Sequence, residues 1–240
     1  MTVAPYQNSD QNKKQQVEQM FDNIAPKYDF LNHFLSLGID KLWRKKAVRI
    51  LAAEKPKQIL DVATGTGDFA IAASKLNADE IVGFDLSEQM IRVGEEKVKK
   101  LRLDSLIRFQ KGDSENMPFE DATFDAITVA FGVRNFETLQ KGLDEFHRVL
   151  RNGGVAIILE FSKPKHFPFK QLYRFYFFHI LPFIGGLVSK DSSAYAYLPE
   201  SVMAFPDDQD MLNILRETGF SEVSQKRLTF GIATIYIARK

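Results

Sequence analysis

The chain has 240 residues, with 32 Lys and Arg against 31 Asp and Glu, a net charge of +1. That length suits one large α/β domain, and the even charge balance speaks against a nucleic-acid partner held through its phosphates, which calls for a basic excess. Cysteine is absent, which excludes disulfides, thiolate metal sites and a cysteine nucleophile and agrees with a cytoplasmic chain.

Residues 1–16 are polar, lack the apolar centre of a signal peptide, and read as a flexible tail. Across 17–55 apolar residues such as Val17, Met20, Phe21 and Ile24 recur at helical spacing, punctuated by Pro26 and Gly38, and predict a helical cap of two or three short helices. The rhythm then changes. Short apolar runs at 58–63, 80–84, 107–110, 124–129 and 155–161 predict strands. Helices are predicted at 68–76, from Ser87 to about Leu101, and at 139–150, the last stopped by Asn152-Gly153-Gly154. Strands separated by helices of this length imply parallel crossovers in a doubly wound α/β sheet. Beyond the fifth strand, residues 162–205 break the pattern with aromatics, prolines and Gly185-Gly186. A helix at 208–218 and two β-like runs at 222–230 and 232–238 close the chain, the runs forming an antiparallel hairpin around Gly231. Phenylalanine occurs 21 times and tryptophan once, and seven Phe fall between positions 161 and 183 beside Tyr173 and Tyr176, so this stretch demands aromatic surface.

The first strand runs into Asp61-Val-Ala-Thr-Gly-Thr-Gly-Asp68. Glycines at a strand-to-helix turn let a ligand approach the backbone, and the helix N-terminus adds a positive end. Asp85 stands 20 residues beyond Gly65, at the end of the second strand, where an acid accepts from a ribose diol. Gly112-Asp113-Ser114 supplies a third polar loop on the same sheet edge. This spacing satisfies the dinucleotide pattern as well, so an NAD-dependent oxidoreductase is an alternative, though the only Tyr-x-x-x-Lys spacing, Tyr236 to Lys240, lies at the end of a strand-like run.

Four segments resemble the successive motifs of class I S-adenosylmethionine-dependent methyltransferases: Asp61 to Asp68, Gly83-Phe-Asp-Leu-Ser87, Gly112-Asp-Ser-Glu-Asn-Met-Pro-Phe119 and Arg148-Val-Leu-Arg-Asn-Gly-Gly154. Three more are narrower in reach: Phe21-Asp-Asn-Ile-Ala-Pro-Lys-Tyr-Asp29, Phe131-Gly-Val-Arg-Asn135 and Leu159-Glu-Phe-Ser-Lys-Pro164. These resemble the quinone C-methyltransferases, the demethylmenaquinone methyltransferase and 2-methoxy-6-polyprenyl-benzoquinol methylase group, over residues 17–240. The resemblance implies a mostly parallel, seven-stranded, Rossmann-like sheet with S-adenosylmethionine across the ends of strands one to four. It implies that Gly65, Thr66 and Gly67 line the methionine portion, Asp85 takes the ribose hydroxyls, and Asp113 and Ser114 flank the adenine. Relatives commonly read Asn-Ala at that last loop, so Asp113-Ser114 is a departure, although a carboxylate can accept from an adenine amino group.

Methyl transfer from a sulfonium to carbon is an in-line displacement that needs no protein nucleophile. The acceptor must be electron-rich, so a polyprenylated quinol is expected, activated by loss of a phenolic proton; the protein aligns the reactants, assists deprotonation and excludes water. Arg134, Asn135 and Tyr28 are the expected catalytic residues. The guanidinium of Arg134 would stabilise a phenolate or orient a water, Asn135 would fix a quinol oxygen, and Tyr28 would close the site. The plain alternatives are a surface ion pair of Arg134 with Glu137 and a packing role for Tyr28.

No metal is expected. His33, His147, His166 and His179 show no ligand pair at helical spacing and read as solvated or packing residues, while Asp207, Asp208 and Asp210 read as the acidic start of a helix. Residues 162–205 are read as an aromatic lid over the substrate tail, interrupted by Lys, Arg and Pro too often to span a bilayer but suited to peripheral contact with membrane lipid at its inner face. The favoured acceptor is demethylmenaquinol, giving a menaquinone-biosynthesis enzyme, with the ubiquinone-pathway benzoquinol as the alternative and a non-catalytic cofactor-binding module as a third reading. Oligomeric state is open, a homodimer included.

Overall fold

The computed structural model describes residues 3–6, 9–180 and 193–240. Helix α1 (Lys13–Ile24) begins inside the stretch read as a tail, because a capping box anchors it: Gln15 N donates to Asn12 Oδ1 and Asn12 N to Gln15 Oε1. Tyr6 N also donates to Gln16 Oε1 at 2.9 Å, and Val3 and Tyr6 pack against the Val17–Met20 cluster, so the segment before α1 is tied to it. Helices α2 (Tyr28–Leu35) and α3 (Ile39–Leu51) complete a three-helix cap.

The sheet comprises β1 (Gln58–Val62), β2 (Glu80–Asp85), β3 (Ile107–Lys111), β4 (Phe124–Ala130), β5 (Leu150–Phe161), β6 (Glu222–Leu228) and β7 (Ala233–Arg239). Its order is β3-β2-β1-β4-β5-β7-β6. The first five strands are parallel, and β7 runs antiparallel to both β5 and β6. This is the doubly wound, mostly parallel seven-stranded sheet with a terminal antiparallel pair. One boundary differs from the sequence reading. Helix α6 (Leu139–Val149) ends before Asn152, and β5 already starts at Leu150. Phe124 pairs with Leu150 but Ala126 with Val155, so Asn152-Gly153-Gly154 form an irregularity inside the strand pairing rather than a helix stop.

Side chains alternate across the strands, and both faces are covered. Leu60, Val62, Ile127, Val129 and Ile158 pack on α6 and α9 (Gln209–Glu217) through Phe146, Met211 and Leu215. Ile59, Ile81, Ala126, Ile157 and Leu159 pack on α3, α4 (Asp68–Ala73) and α5 (Glu88–Lys100) through Trp43, Leu51, Phe69 and Val98. Burial on both faces is why these strands read as continuous apolar runs instead of alternating ones.

The aromatic segment forms α7 (Phe169–Phe175), a π turn (Tyr176–Ile180) and α8 (Ser193–Ala204). Tyr173, Phe177 and Val202 bury one another, and Tyr197 packs against Met20 and Ile24 of α1, so the segment docks on the N-terminal cap. Pro182, Phe183 and Gly185-Gly186 lie outside the described residues. Of the acidic trio near 208, two are ion-paired: Asp207 with Lys163 at 3.0 Å and Asp208 with Lys165. Tyr236 is fully buried and its hydroxyl accepts from Asp208 N, so the Tyr236–Lys240 spacing belongs to the sheet.

Candidate active site

Three loops at the carboxyl ends of β1, β2 and β3 build a polar cleft. The β1 loop is pinned from beneath by Asp61, whose carboxylate accepts from Thr128 Oγ1 (2.6 Å), Thr64 Oγ1 (2.5 Å) and Ala70 N (3.1 Å). Burial pushes this carboxyl up to about 6. Gly67 has φ +79°, and a Cβ there would lie 2.8 Å from the Phe109 ring, so backbone and space both require glycine. Gly65 N donates to Asp85 Oδ2 (2.7 Å) and Ser87 N to Asp85 Oδ1 (2.9 Å), which fixes the carboxylate at the meeting of the first two loops. Burial raises the pKa of Asp85 against these hydrogen bonds. After β4, a Cβ on Gly132 would lie 2.5 Å from that of Ala63; its absence lets the β4 loop close onto the β1 loop.

The cleft holds about 680 Å³ of open space and is lined by Gly65, Asp85, Ser87, Asp113, Ser114 and Asn135, with Lys14, Glu18 and Phe21 of α1 along one side. Two expected residues are absent from its wall. Gly67 lies against Phe109, and Thr66 turns its hydroxyl to Asp29 and accepts from Lys97 Nζ at 3.1 Å. Lys14, from the supposed tail, pairs with Asp113 at 2.6 Å and so occupies one oxygen of the departing Asp113-Ser114 loop.

A second cavity, larger and with about 1380 Å³ of space that is partly open to solvent, adjoins the first. Its walls are aromatic, with Trp43, Phe131, Phe161, Tyr173, Phe177 and Tyr197, and its polar residues include Asp40, Arg44 and Arg134. Phe21, Tyr28 and Phe131 line both spaces. Tyr28 therefore stands at the junction, edge-on to Phe21 at 6.0 Å, and burial raises the pKa of its hydroxyl. The expected catalytic trio is divided by this junction: Arg134 lines the aromatic cavity and Asn135 the polar cleft.

Arg134 does not pair with Glu137. Its Nη1 reaches Glu160 Oε1 at 3.1 Å and donates to Phe131 O, and its guanidinium carbon lies 5.6 Å from the Phe161 ring centre. Glu160 is fully buried; desolvation raises its pKa while Arg134 pulls it back. Sequence reasoning assigned Glu160 no role, although a carboxylate inside the apolar run Val155–Phe161 signals a buried cationic partner.

Beneath the β1 loop lies a charged cluster that sequence spacing missed because its members come from separate helices. His33 Nδ1 is hydrogen-bonded to Asp40 Oδ2 at 2.8 Å and its Nε2 lies 3.6 Å from Asp68, so His33 is tied into the cluster and not merely a solvated or packing residue. Arg44 bridges Asp40 and Asp68, and Lys97 bridges Asp29 (2.6 Å) and Asp68 (2.7 Å). His33, Asp40 and Asp68 have metal-ligand spacing among the described residues, but both carboxylates already face cationic side chains.

The overall fold is shared with solved structures. The [4+2]-cyclase SpnF superposes with a TM-score of 0.68 at 17% identity, covering 95% of this chain and 96% of that one. A SAM-dependent methyltransferase from Thermotoga maritima gives 0.67 at 17% identity, covering 93% and 99%. Sequence similarity is much higher to a demethylmenaquinone methyltransferase from Bacteroides fragilis, 54% identical over 99% of this chain and 97% of that one. The Porphyromonas gingivalis demethylmenaquinone methyltransferase is 44% identical over 99% and 98%. A ubiquinone/menaquinone biosynthesis C-methyltransferase from Geotalea uraniireducens is 47% identical over 95% and 97%. Residues 9–240 match the ubiE/COQ5 methyltransferase family from end to end of the fold just described, and the chain is a member of that family.

Proposed function

We propose that the protein methylates a ring carbon of a polyprenylated quinol, converting demethylmenaquinol to menaquinol, with S-adenosylmethionine as methyl donor. The observation that carries this reading is the junction at Tyr28, where a polar cleft meets a larger aromatic cavity through three shared side chains. A donor rich in hydroxyl and amino groups suits the first space and a fused ring with a hydrocarbon tail suits the second. Membership of a methyltransferase family leaves the oxidoreductase and non-catalytic readings without support.

The cleft residues fit the donor. Asp85 offers a buried carboxylate where a ribose diol would donate, Asp113 and Ser114 offer polar groups for an adenine, and Asn135 Oδ1 is a buried acceptor with no partner among the described residues. When bound, S-adenosylmethionine supplies an electrophilic methyl group on a sulfonium. The remaining work falls to the chain. Tyr28 and Phe131 align the two spaces, the aromatic walls exclude water, and Arg134, braced by Glu160, stabilises charge developing on the quinol oxygen. No metal step is invoked, since Arg44 and Lys97 already neutralise the acidic cluster.

Lipid access is part of the same proposal. Phe30, Phe34, Leu37 and Leu42 on or beside α2 and α3, and Phe167, Leu172, Phe175 and Phe178 around α7, are exposed on segments that wall the aromatic cavity. Lys170 and Arg174 make no ion pair among the described residues and stand on the same α7, a composition suited to peripheral contact with an anionic bilayer. Among the described residues no helix is long and apolar enough to cross a membrane.

A product assay tests the reading. The protein supplied with S-adenosylmethionine and reduced demethylmenaquinone is expected to yield the ring-methylated product by mass spectrometry. The relatives from Bacteroides and Porphyromonas favour the naphthoquinol, and the wider name of the Geotalea relative makes 2-methoxy-6-polyprenyl-benzoquinol the parallel arm. Binding of S-adenosylmethionine with no methylation of either quinol would refute it.

A further inference from the structure

Among the described residues six buried side-chain polar atoms have no hydrogen-bond partner, and four of them surround the two cavities: Arg134 Nε, Asn135 Oδ1, Tyr173 Oη and Tyr197 Oη. A buried donor left unmade costs about 1–3 kcal/mol, so natural interiors leave few of them. Their concentration around one space indicates that a ligand completes them. Arg134 and Asn135 are already placed in the site; the two tyrosines are not.

Tyr173 comes from α7 and Tyr197 from α8, and they are 6% and 3% exposed. Both rings are held by packing, Tyr173 against Phe177 with ring centres 4.2 Å apart and Tyr197 among Met20 and Ile24 of α1. Both line the aromatic cavity, and both hydroxyls lie within electrostatic reach of Arg134 and Glu160. Two phenols from separate helices thus stand in one aromatic chamber with Arg134. A hydrocarbon tail has no use for them there; a ring oxygen does.

We propose that Tyr173 and Tyr197 are substrate-orienting residues whose hydroxyls hydrogen-bond the ring oxygens of the quinol at the Arg134 end of the cavity. The inference rests on the quinol reading and adds the groups that set the ring's orientation. Burial drives the Tyr197 hydroxyl up to about 12 and the Tyr173 hydroxyl higher, so both stay protonated and act as donors, with lone pairs free to accept. By fixing the oxygens they leave the ring only rotation about the line joining them, which the aromatic walls restrict, and so help to set which ring carbon faces the cleft beyond Tyr28.

The test uses Tyr173→Phe, Tyr197→Phe and the double variant, with short-tailed demethylnaphthoquinol and two analogues each lacking one ring hydroxyl. Affinities are measured with the cleft saturated by S-adenosylhomocysteine. The unaltered protein is expected to bind the diol about tenfold more tightly than at least one analogue, equal to ~1.4 kcal/mol. In the double variant that gap is expected to shrink to about twofold or less, while each single variant melts higher than the unaltered protein because an unsatisfied hydroxyl has been removed. A gap unchanged in the double variant, whichever way the melting temperature moves, overturns the inference. Failure of the unaltered protein to bind or methylate the diol brings down the quinol reading itself, and this inference with it; a discriminating parent whose double variant discriminates equally overturns the inference alone.

Discussion

The Arg134–Glu160 pair joins stability and chemistry, and the two can be separated. Glu160 is fully buried, and its carboxylate takes Arg134 Nη1 at 3.1 and 3.4 Å, Arg134 N at 3.4 Å and Phe161 N at 2.8 Å. In Glu160→Gln one amide oxygen still accepts from Phe161 N, but the amide nitrogen faces a guanidinium with no countercharge. Stranding one member of a buried pair costs about 3–5 kcal/mol, which in a chain of this size lowers the melting temperature by on the order of 10 °C. Arg134→Met strands the carboxylate instead and is expected to cost a similar amount. The double variant Arg134→Met, Glu160→Gln strands neither charge, so it is expected to recover at least ~2 kcal/mol of the summed single losses. Being folded yet lacking the guanidinium, the double variant is expected to lose about 100-fold or more in kcat. Its affinity for S-adenosylmethionine is expected to stay within about twofold, since Arg134 lines the aromatic cavity and not the cleft. Urea unfolding of the four proteins, quinol turnover and calorimetric titration read all three quantities. A Glu160→Gln loss below ~1 kcal/mol, or near-normal turnover in the double variant, would refute the reasoning.

The Asp61 carboxyl, raised from its ordinary 3.8 to about 6 in the fold, binds protons more tightly folded than unfolded, so its contribution to stability is full below pH 3.8 and lost as pH rises through about 6. The advantage of the parent over Asp61→Asn, which does not titrate, should therefore shrink across that window; parallel urea midpoints at every pH would contradict it. Phe177 and Phe178 are neighbours with opposite fates, 5% and 42% exposed. Phe177→Ser is expected to destabilise by about 3 kcal/mol or more, whereas Phe178→Ser should leave melting unchanged and weaken binding to anionic liposomes; equal liposome binding would remove Phe178 from the lipid contact. Lys14→Ala frees the Asp113 carboxylate from its 2.6 Å ion pair and is expected to shift S-adenosylmethionine affinity by a few-fold with kcat at saturation intact; a lost kcat would show that α1 acts beyond the Asp113 end of the cleft. Prolonged chelation should leave turnover unchanged, and activity lost to a chelator and restored by a divalent ion would show that His33, Asp40 and Asp68 hold a metal despite Arg44 and Lys97.

The cleft was legible where its parts are local. Gly65, Asp85, Asp113 and Ser114 each follow closely on a strand of the predicted sheet, and a parallel sheet brings all such ends to one edge whatever else the chain does. Thr66 and Gly67 stand in the same motif but face Asp29, Lys97 and Phe109, because adjacent residues of a tight turn cannot all point the same way. Lys14 was hidden for a different reason: its polar neighbourhood reads as a tail, and only the docking of α1 brings it to Asp113. The buried partner of Arg134, Glu160, stands 26 residues away in sequence, so nothing local distinguished it from a nearer acid such as Glu137.

The sequence by itself determined the succession of strands and helices and the loops that line the cleft, since period, glycine placement and short-range capping are properties of consecutive residues. The tertiary structure alone decided which residues share a chamber. Tyr28, Trp43, Arg134, Phe161, Tyr173 and Tyr197 come from six separate segments, and their meeting depends on how the cap and the aromatic helices pack over the sheet edge. That packing is driven by non-directional apolar burial, which rewards any close fit and leaves no local pattern by which a chain announces its partners.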